Sequence, residues 1–157
     1  LSAAAASGES TVLATVVRVT GSSYGGVGAR MLIRTDGSTV GLVSGGCLES
    51  DLAEHARRVH EGGSAEIVRY DTRDDDDAPW GLGLGCNGLI EVLLEPLRPD
   101  QAVSMAELLE QALASHTPTV LATPIRIVDN VNYSPVIGAH ALLGGAAATT
   151  IGDWGDG

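Results

Sequence analysis

The spacing of apolar and polar residues along this chain lays out most of its elements. From Thr11 the run TVLATVVRV reads as a strand. Met31-Leu32-Ile33 and Val40 to Val43 read as a hairpin around the turn TDGS, whose Asp-Gly pair suits a positive φ. The period then changes from two to 3.6. In CLESDLAEHARRVHEGG, Leu48, Leu52, Ala56 and Val59 fall on one helical face, acids crowd the first turns, arginines and His60 follow, and Gly62-Gly63 supply the stop. Ala65 to Tyr70 and Leu89 to Leu94 read as two more strands. A second helix, capped by Asp100 and running to about Ser115, turns Ala102, Ala106, Leu109 and Leu113 inward, and Pro118 marks a restart. This order predicts an α/β fold, a mixed sheet with packed helices and a second small sheet or sheet extension.

The restart repeats the beginning. TVLAT at Thr11 recurs at Thr119, Gly28-Ala29 returns as Gly138-Ala139, and Thr39-Val40-Gly41 returns as Thr150-Ile151-Gly152. The fold is therefore predicted to consist of two pseudo-repeats, about 1–46 and 105–157, around a central αββα segment. LSAAAAS before the first TVLAT lines up with LEQALAS before the second, so Leu1 to Ala6 read as the end of a longer helix. The chain is expected to be a fragment, the front part of a longer protein.

Composition narrows the function classes. A chain of 157 residues with 44% apolar and 3% aromatic content can build a single domain whose core is Val, Leu, Ile and Ala. Nine arginines, no lysine and a formal charge of −11 repel phosphate backbones and anionic headgroups, which argues against nucleic acid and membrane as partners. Without lysine there is no Walker-type phosphate loop, Schiff base or lysine base. No apolar run is long enough to cross a bilayer and the opening lacks the order of a signal peptide, so a cytoplasmic location is expected. Cys47 and Cys86 have no CxxC partner, which excludes an all-cysteine zinc site and points to free thiols in a reducing compartment.

Two glycine-rich segments carry the candidate chemistry. SGGCLES, Ser44 to Ser50, sets Gly45 and Gly46 between a strand and a helix start, where free N–H groups and the helix dipole favour phosphate or thiolate. Cys47, read as lying in the first turn, gains nucleophilicity or metal affinity there. The plain alternative is a helix capped by Ser44 with Cys47 as a small core residue. Gly83 to Gly88 has GxGxxG spacing but follows an acidic loop and leads into a strand, so a dinucleotide site is rejected. If the strand ending at Val43 and the strand beginning at Leu89 are neighbours, both thiols share one pocket at the sheet edge. Asp74 to Asp77 read as a solvated run and Trp80 as a lid or loop anchor.

Four stretches occur together in order: ATVVRVTGSSY with GARMLI, VGLVSGGCLESDL, VRYDT with DDDDAPWGLGLGCNG, and IEVLLEPL. Over about residues 11–97 the chain resembles the amino-terminal domain of the xanthine dehydrogenase accessory protein family (XdhC/CoxI). The resemblance implies an accessory chaperone, not itself an enzyme, that binds molybdenum cofactor (molybdopterin), supports its sulfuration and inserts it into a xanthine dehydrogenase-type hydroxylase. It also implies the apo-enzyme and a cysteine desulfurase as partners. By motif position it assigns Ser44, Gly45, Gly46, Cys47, Gly85, Cys86, Asn87 and Gly88 to the cofactor pocket, with Ser22 and Ser23 beside them. Cys47 and Cys86 would face the cofactor's molybdenum, a soft-ligand arrangement. The chain departs from the pattern at Tyr24-Gly25-Gly26-Val27, where the family holds arginine and proline, and Arg30 is the nearest substitute cation. The family's usual carboxyl-terminal Rossmann-like domain has no counterpart in this sequence. A second reading is a thiol-redox or sulfur-transfer enzyme in which Cys47 attacks and Cys86 resolves. A third is a scaffold whose acidic surface docks onto the hydroxylase. Pseudo-symmetry leaves a homodimer open.

Overall fold

The structure, a computed structural model, describes residues 8–71, 88–126, 136–144 and 147–154. Two compact units divide the chain, one of Ser10–Pro96 and one formed by the remaining described residues.

The first unit contains β1 (Thr11–Gly21), β2 (Arg30–Arg34), β3 (Thr39–Gly41), α1 (Glu49–Gly62), β4 (Glu66–Asp71) and β5 (Gly88–Leu97). Its strands form one sheet in the order β3-β2-β1-β5-β4. The β1–β2, β2–β3 and β4–β5 pairs are antiparallel, with Leu13 opposite Leu32, Leu32 opposite Val40, and Tyr70 opposite Ile90. On the β1–β5 seam a Cβ on Gly88 would stand 2.8 Å from Thr20 O, and Arg18 ion-pairs Glu91 at 3.7 Å. Numbers rise along β5 as they fall along β1, so these strands also run in opposite directions. The α/β architecture expected from the sequence is present, with antiparallel strand pairing.

β1 and β5 occupy the middle of this sheet, which explains why they read as nearly continuous apolar runs rather than strict alternations. Val12, Ala14, Val16, Ile90, Val92 and Leu94 belong to one core with Leu48, Leu52, Ala56 and Val59 of α1. Leu13, Leu32 and Leu93, on the opposite face by strand alternation, are buried as well. The helix forms as its pattern requires. Glu49 and Asp51 lie in its first turn, and Gly63 ends it at φ 67 by donating its N–H to Val59 O.

The sheet order does not meet the condition under which a strand pairing would bring the two thiols together. β3 and β5 are not neighbours, because β2 and β1 lie between them. The hairpin carries β3 to the outer edge, while β5 takes the seat beside β1.

The second unit contains α2 (Pro99–Ala114), β6 (Val120–Ala122), β7 (His140–Gly144) and β8 (Ala147–Ile151), the strands pairing in that order as a small antiparallel sheet. α2 lies against β8. Arg98, not Asp100, is the N-cap: Pro99 takes the first helical position, and the Gln101 side chain accepts the Arg98 N–H at 3.0 Å. The buried face is Ala102, Met105, Ala106 and Leu108, whereas Leu113, expected inward, is 86% exposed in the last turn. The helical stub read into Leu1 to Ala6 lies outside the described residues.

Candidate functional site

Three loops leave the first sheet at one end. β1 runs out at Gly21 into Ser22 and Ser23, and Gly88 opens β5 against it, with any Cβ there only 2.6 Å from Ser22 O. β4 stops at Asp71 opposite Leu89, so the end of β4 and the start of β5 lie here together. α1 begins over the same end, where the Tyr70 hydroxyl donates to Asp51 at 2.6 Å. The segment entering α1 is seated on the loop after β1. A Cβ on Gly25 would overlap Val43 O, and Gly45 lies 3.1 Å, by the same measure, from the Tyr24 ring.

Ser22, Ser23, the Ser44 to Cys47 loop and Gly88 are thus brought to one end of the sheet through contacts around the end of β1, not through a β3–β5 pairing. Gly85, Cys86 and Asn87 lie outside the described residues, as do Asp74 to Asp77 and Trp80. Ser23 Oγ donates to Gly25 O at 2.9 Å and so shapes its own loop. Arg30 opens β2 opposite Thr15, back along the strand from these loops.

The Ser44 to Cys47 loop differs from its sequence reading in two respects. Regular helix begins at Glu49 with Leu48 as N-cap, so Cys47 precedes the first turn. Second, the donors expected to await an external anion already hold one. Glu49 folds back so that Oε1 accepts the Ser44 N–H at 2.9 Å, while Oε2 accepts the Ser44 hydroxyl at 2.5 Å and the Leu48 N–H at 3.2 Å. Ser44 Oγ in turn accepts from Gly46 N–H at 3.3 Å, Leu48 N–H at 3.2 Å and the Cys47 thiol at 3.7 Å. Burial acts to raise the Glu49 pKa, but the Ser44 hydroxyl and N–H, with further backbone donors, outweigh it and hold the carboxyl below its ordinary range. Sequence reasoning treated Glu49 only as a complement to the helix dipole. Its place in the same short motif, two residues after Cys47, was the available signal.

A second polar cluster fastens α1 to β4. His55 stands 3.6 Å from Asp51 and 3.4 Å from Glu66, and Arg58 approaches His55 Nδ1 at 2.7 Å. Burial raises the Tyr70 pKa, and its hydrogen bond to the Asp51 carboxylate raises it further. This cluster orients the helix that carries the loop.

A cavity of about 420 Å³ lies elsewhere. It opens between the turn Thr35-Asp36-Gly37 and the flank of α1 formed by Ala53, Arg57 and His60, at the other end of the sheet, and contains none of the candidate residues. Among the described residues no three His, Cys, Asp or Glu side chains could hold a metal ion together. No described helix is long and apolar enough to cross a membrane.

Residues 4–71 match the XdhC and CoxI family. The matched segment spans under half of the chain. It contains Ser22, Ser23 and the whole Ser44 to Cys47 loop, with Gly85 to Gly88 beyond it. Over 93 residues the chain is 41% identical to a Bacillus subtilis (strain 168) protein described as a probable xanthine dehydrogenase subunit, covering 59% of this chain and 28% of that protein. Over 96 residues it is 36% identical to the molybdenum cofactor insertion chaperone PaoD of Escherichia coli (strain K12), covering 60% of this chain and 29% of the relative. The chain therefore spans under a third of the length of these curated relatives. A crystal structure described as a xanthine dehydrogenase from Bacillus halodurans superimposes with a TM-score of 0.75 at 33% identity, over 99% of this chain and 44% of that one.

Proposed function

We propose that this XdhC/CoxI segment is the cofactor-holding part of an accessory protein for molybdenum hydroxylases. Molybdenum cofactor would sit at the loop end of the first sheet, for sulfuration and delivery to a xanthine dehydrogenase-type apo-enzyme. A cysteine desulfurase is the second partner on this reading. The observation that carries it is the gathering of Ser22, Ser23, Ser44 to Cys47 and Gly88 at one sheet end, within or beside the segment shared with the family. The likeness to a molybdenum cofactor insertion chaperone supports the same reading.

The residues present suit such a guest. Cys47 is half-buried, and the adjacent Gly46 has open space where a Cβ would stand, so backbone and thiol can be approached together. The Tyr24 ring, 72% exposed above Gly45, offers a flat apolar face on which part of a pterin could stack. Cys47, and with it Cys86, would face the molybdenum, the soft thiols suiting a metal already bound by sulfur. The bound cofactor supplies the redox-active metal for its eventual enzyme; this chain's residues hold and shield it. Because Glu49 already engages the Ser44 and Leu48 amides, the cofactor's phosphate is assigned to other donors, Gly45 and Cys47 N–H among them.

The test is to mix the purified chain with freshly released cofactor and measure co-eluting molybdenum and pterin. Cys47→Ser with Cys86→Ser is expected to lower retention severalfold while leaving the circular dichroism unchanged. Unchanged retention in the double variant would remove the thiols from the site.

A further inference from the structure

In the turn entering α1, a side chain of the protein occupies the position where a ligand's charge was expected, and its bonds extend to the thiol. Ser44 is 3% exposed, and its one hydroxyl proton is committed to Glu49 Oε2 at 2.5 Å. That commitment turns the oxygen's remaining acceptor capacity toward Gly46, Leu48 and the Cys47 Sγ at 3.7 Å. Glu49 also ties down the Ser44 and Leu48 N–H groups on either side of the cysteine. We infer that Glu49 is a positioning residue for Cys47: it sets the Ser44 hydroxyl, and Ser44 sets the direction of the thiol. The importance of that direction rests on the proposed cofactor site; the positioning itself can be tested without cofactor.

Glu49→Gln keeps the shape but replaces one acceptor oxygen with an amide NH2, which cannot accept both of the bonds that Ser44 donates. Ser44→Ala removes the link from the other side. With the full chain, iodoacetamide labelling at one pH is followed by mass spectrometry, and the Cys47 rate is taken relative to Cys86 in the same molecule. Each variant is expected to raise this ratio about fivefold, the scale of one lost hydrogen bond between neutral groups. The double variant should raise it no further than either alone, because both break one chain of contacts.

A second readout reports the thiol directly. In a Cys86→Ser background the Raman S–H band belongs to Cys47, and Glu49→Gln is expected to move it to the higher frequency of a free thiol. An unmoved band, or additive effects in the double variant, would overturn the positioning role. Loss of cofactor retention plays no part in these measurements, so the two readings fail separately.

Discussion

The two copies of TVLAT have the same local sequence and opposite situations. In the first unit Thr11 to Ala14 are buried in β1, a central strand with β2 on one side and β5 on the other. In the second unit Val120 is 61% exposed and Leu121 half-buried, because β6 is an edge strand with β7 alone beside it. The pairing is nonetheless conserved between copies: Leu13 faces Leu32 and Leu121 faces Leu142. Gly28 and Gly138 both adopt positive φ, 89 and 95, and the following alanines each donate an N–H three residues back at 3.0 Å. The copies separate at the next hairpin. Leu32 pairs with Val40, but Leu142 pairs with Thr149, two residues before the sequence counterpart Ile151. A slip of two keeps every side chain on its face, so the core tolerates it.

After the hairpin the two copies diverge in chemistry. The first copy continues into the Ser44 to Cys47 loop, closed by Glu49. The second runs through Gly152-Asp153 to Trp154, whose indole N–H is shared between His140 O at 3.2 Å and Ile151 O at 3.3 Å. One closing group leaves a thiol beside an open glycine; the other is a half-buried indole bonded to its own strands. The same supersecondary unit thus continues in two ways, into a glycine and thiol loop or into an indole bonded to its own sheet.

The largest expected effect tests the central-versus-edge contrast. Leu13→Ala should cost about 3 kcal/mol in urea unfolding, whereas Leu121→Ala should cost under about 1 kcal/mol. Similar values for the two would show that strand position does not govern these copies. Next comes the loop that seats Ser44 to Cys47. Gly25→Ala drives a Cβ into Val43 O and should destabilise by about 2 kcal/mol, while Gly26→Val, which copies Val136 of the second repeat into open space, should stay within about 0.5 kcal/mol.

A smaller effect concerns the clamp of Tyr70 on Asp51, a feature of the first unit. Tyr70→Phe should lose about 1 kcal/mol at neutral pH through its bond to Asp51. Because the folded-state pKa of Tyr70 is raised, its contribution is intact below the ordinary tyrosine range and falls away as pH climbs through and beyond it. Stability measured from pH 8 to about 11 should therefore fall more steeply in the parent chain than in Tyr70→Phe. The smallest change is Leu113→Gln, expected within about 0.5 kcal/mol because that side chain is exposed; a large loss would restore the inward reading of the helix.

Much of this was legible in advance. The α1 face of Leu48, Leu52, Ala56 and Val59, the Gly63 stop and the repeated strand pairs are local patterns, written by residue spacing and turn chemistry. The α2 face was partly misread because Leu113 fits the period but lies in the last turn, where little remains for it to pack against. At the site, the Gly-Gly-Cys motif stood out in the sequence, whereas the role of Glu49 did not. A glutamate in a first turn suits the dipole whether it points outward or folds back, and only the course of the chain through Val43 and Ser44 selects between them.

By itself the sequence determined which segments become helix or strand, that the chain repeats, and which glycine loops and thiols are candidates for its chemistry, because these follow from contacts only a few residues apart. Only the tertiary structure decided that β5 rather than β3 pairs with β1, that Ser22, Ser44 to Cys47 and Gly88 meet at one end of a sheet, and that Glu49 occupies the amides. Those choices depend on which strands compete for one central edge and on which donor a folded-back carboxylate can reach, quantities that exist only once distant residues are packed together.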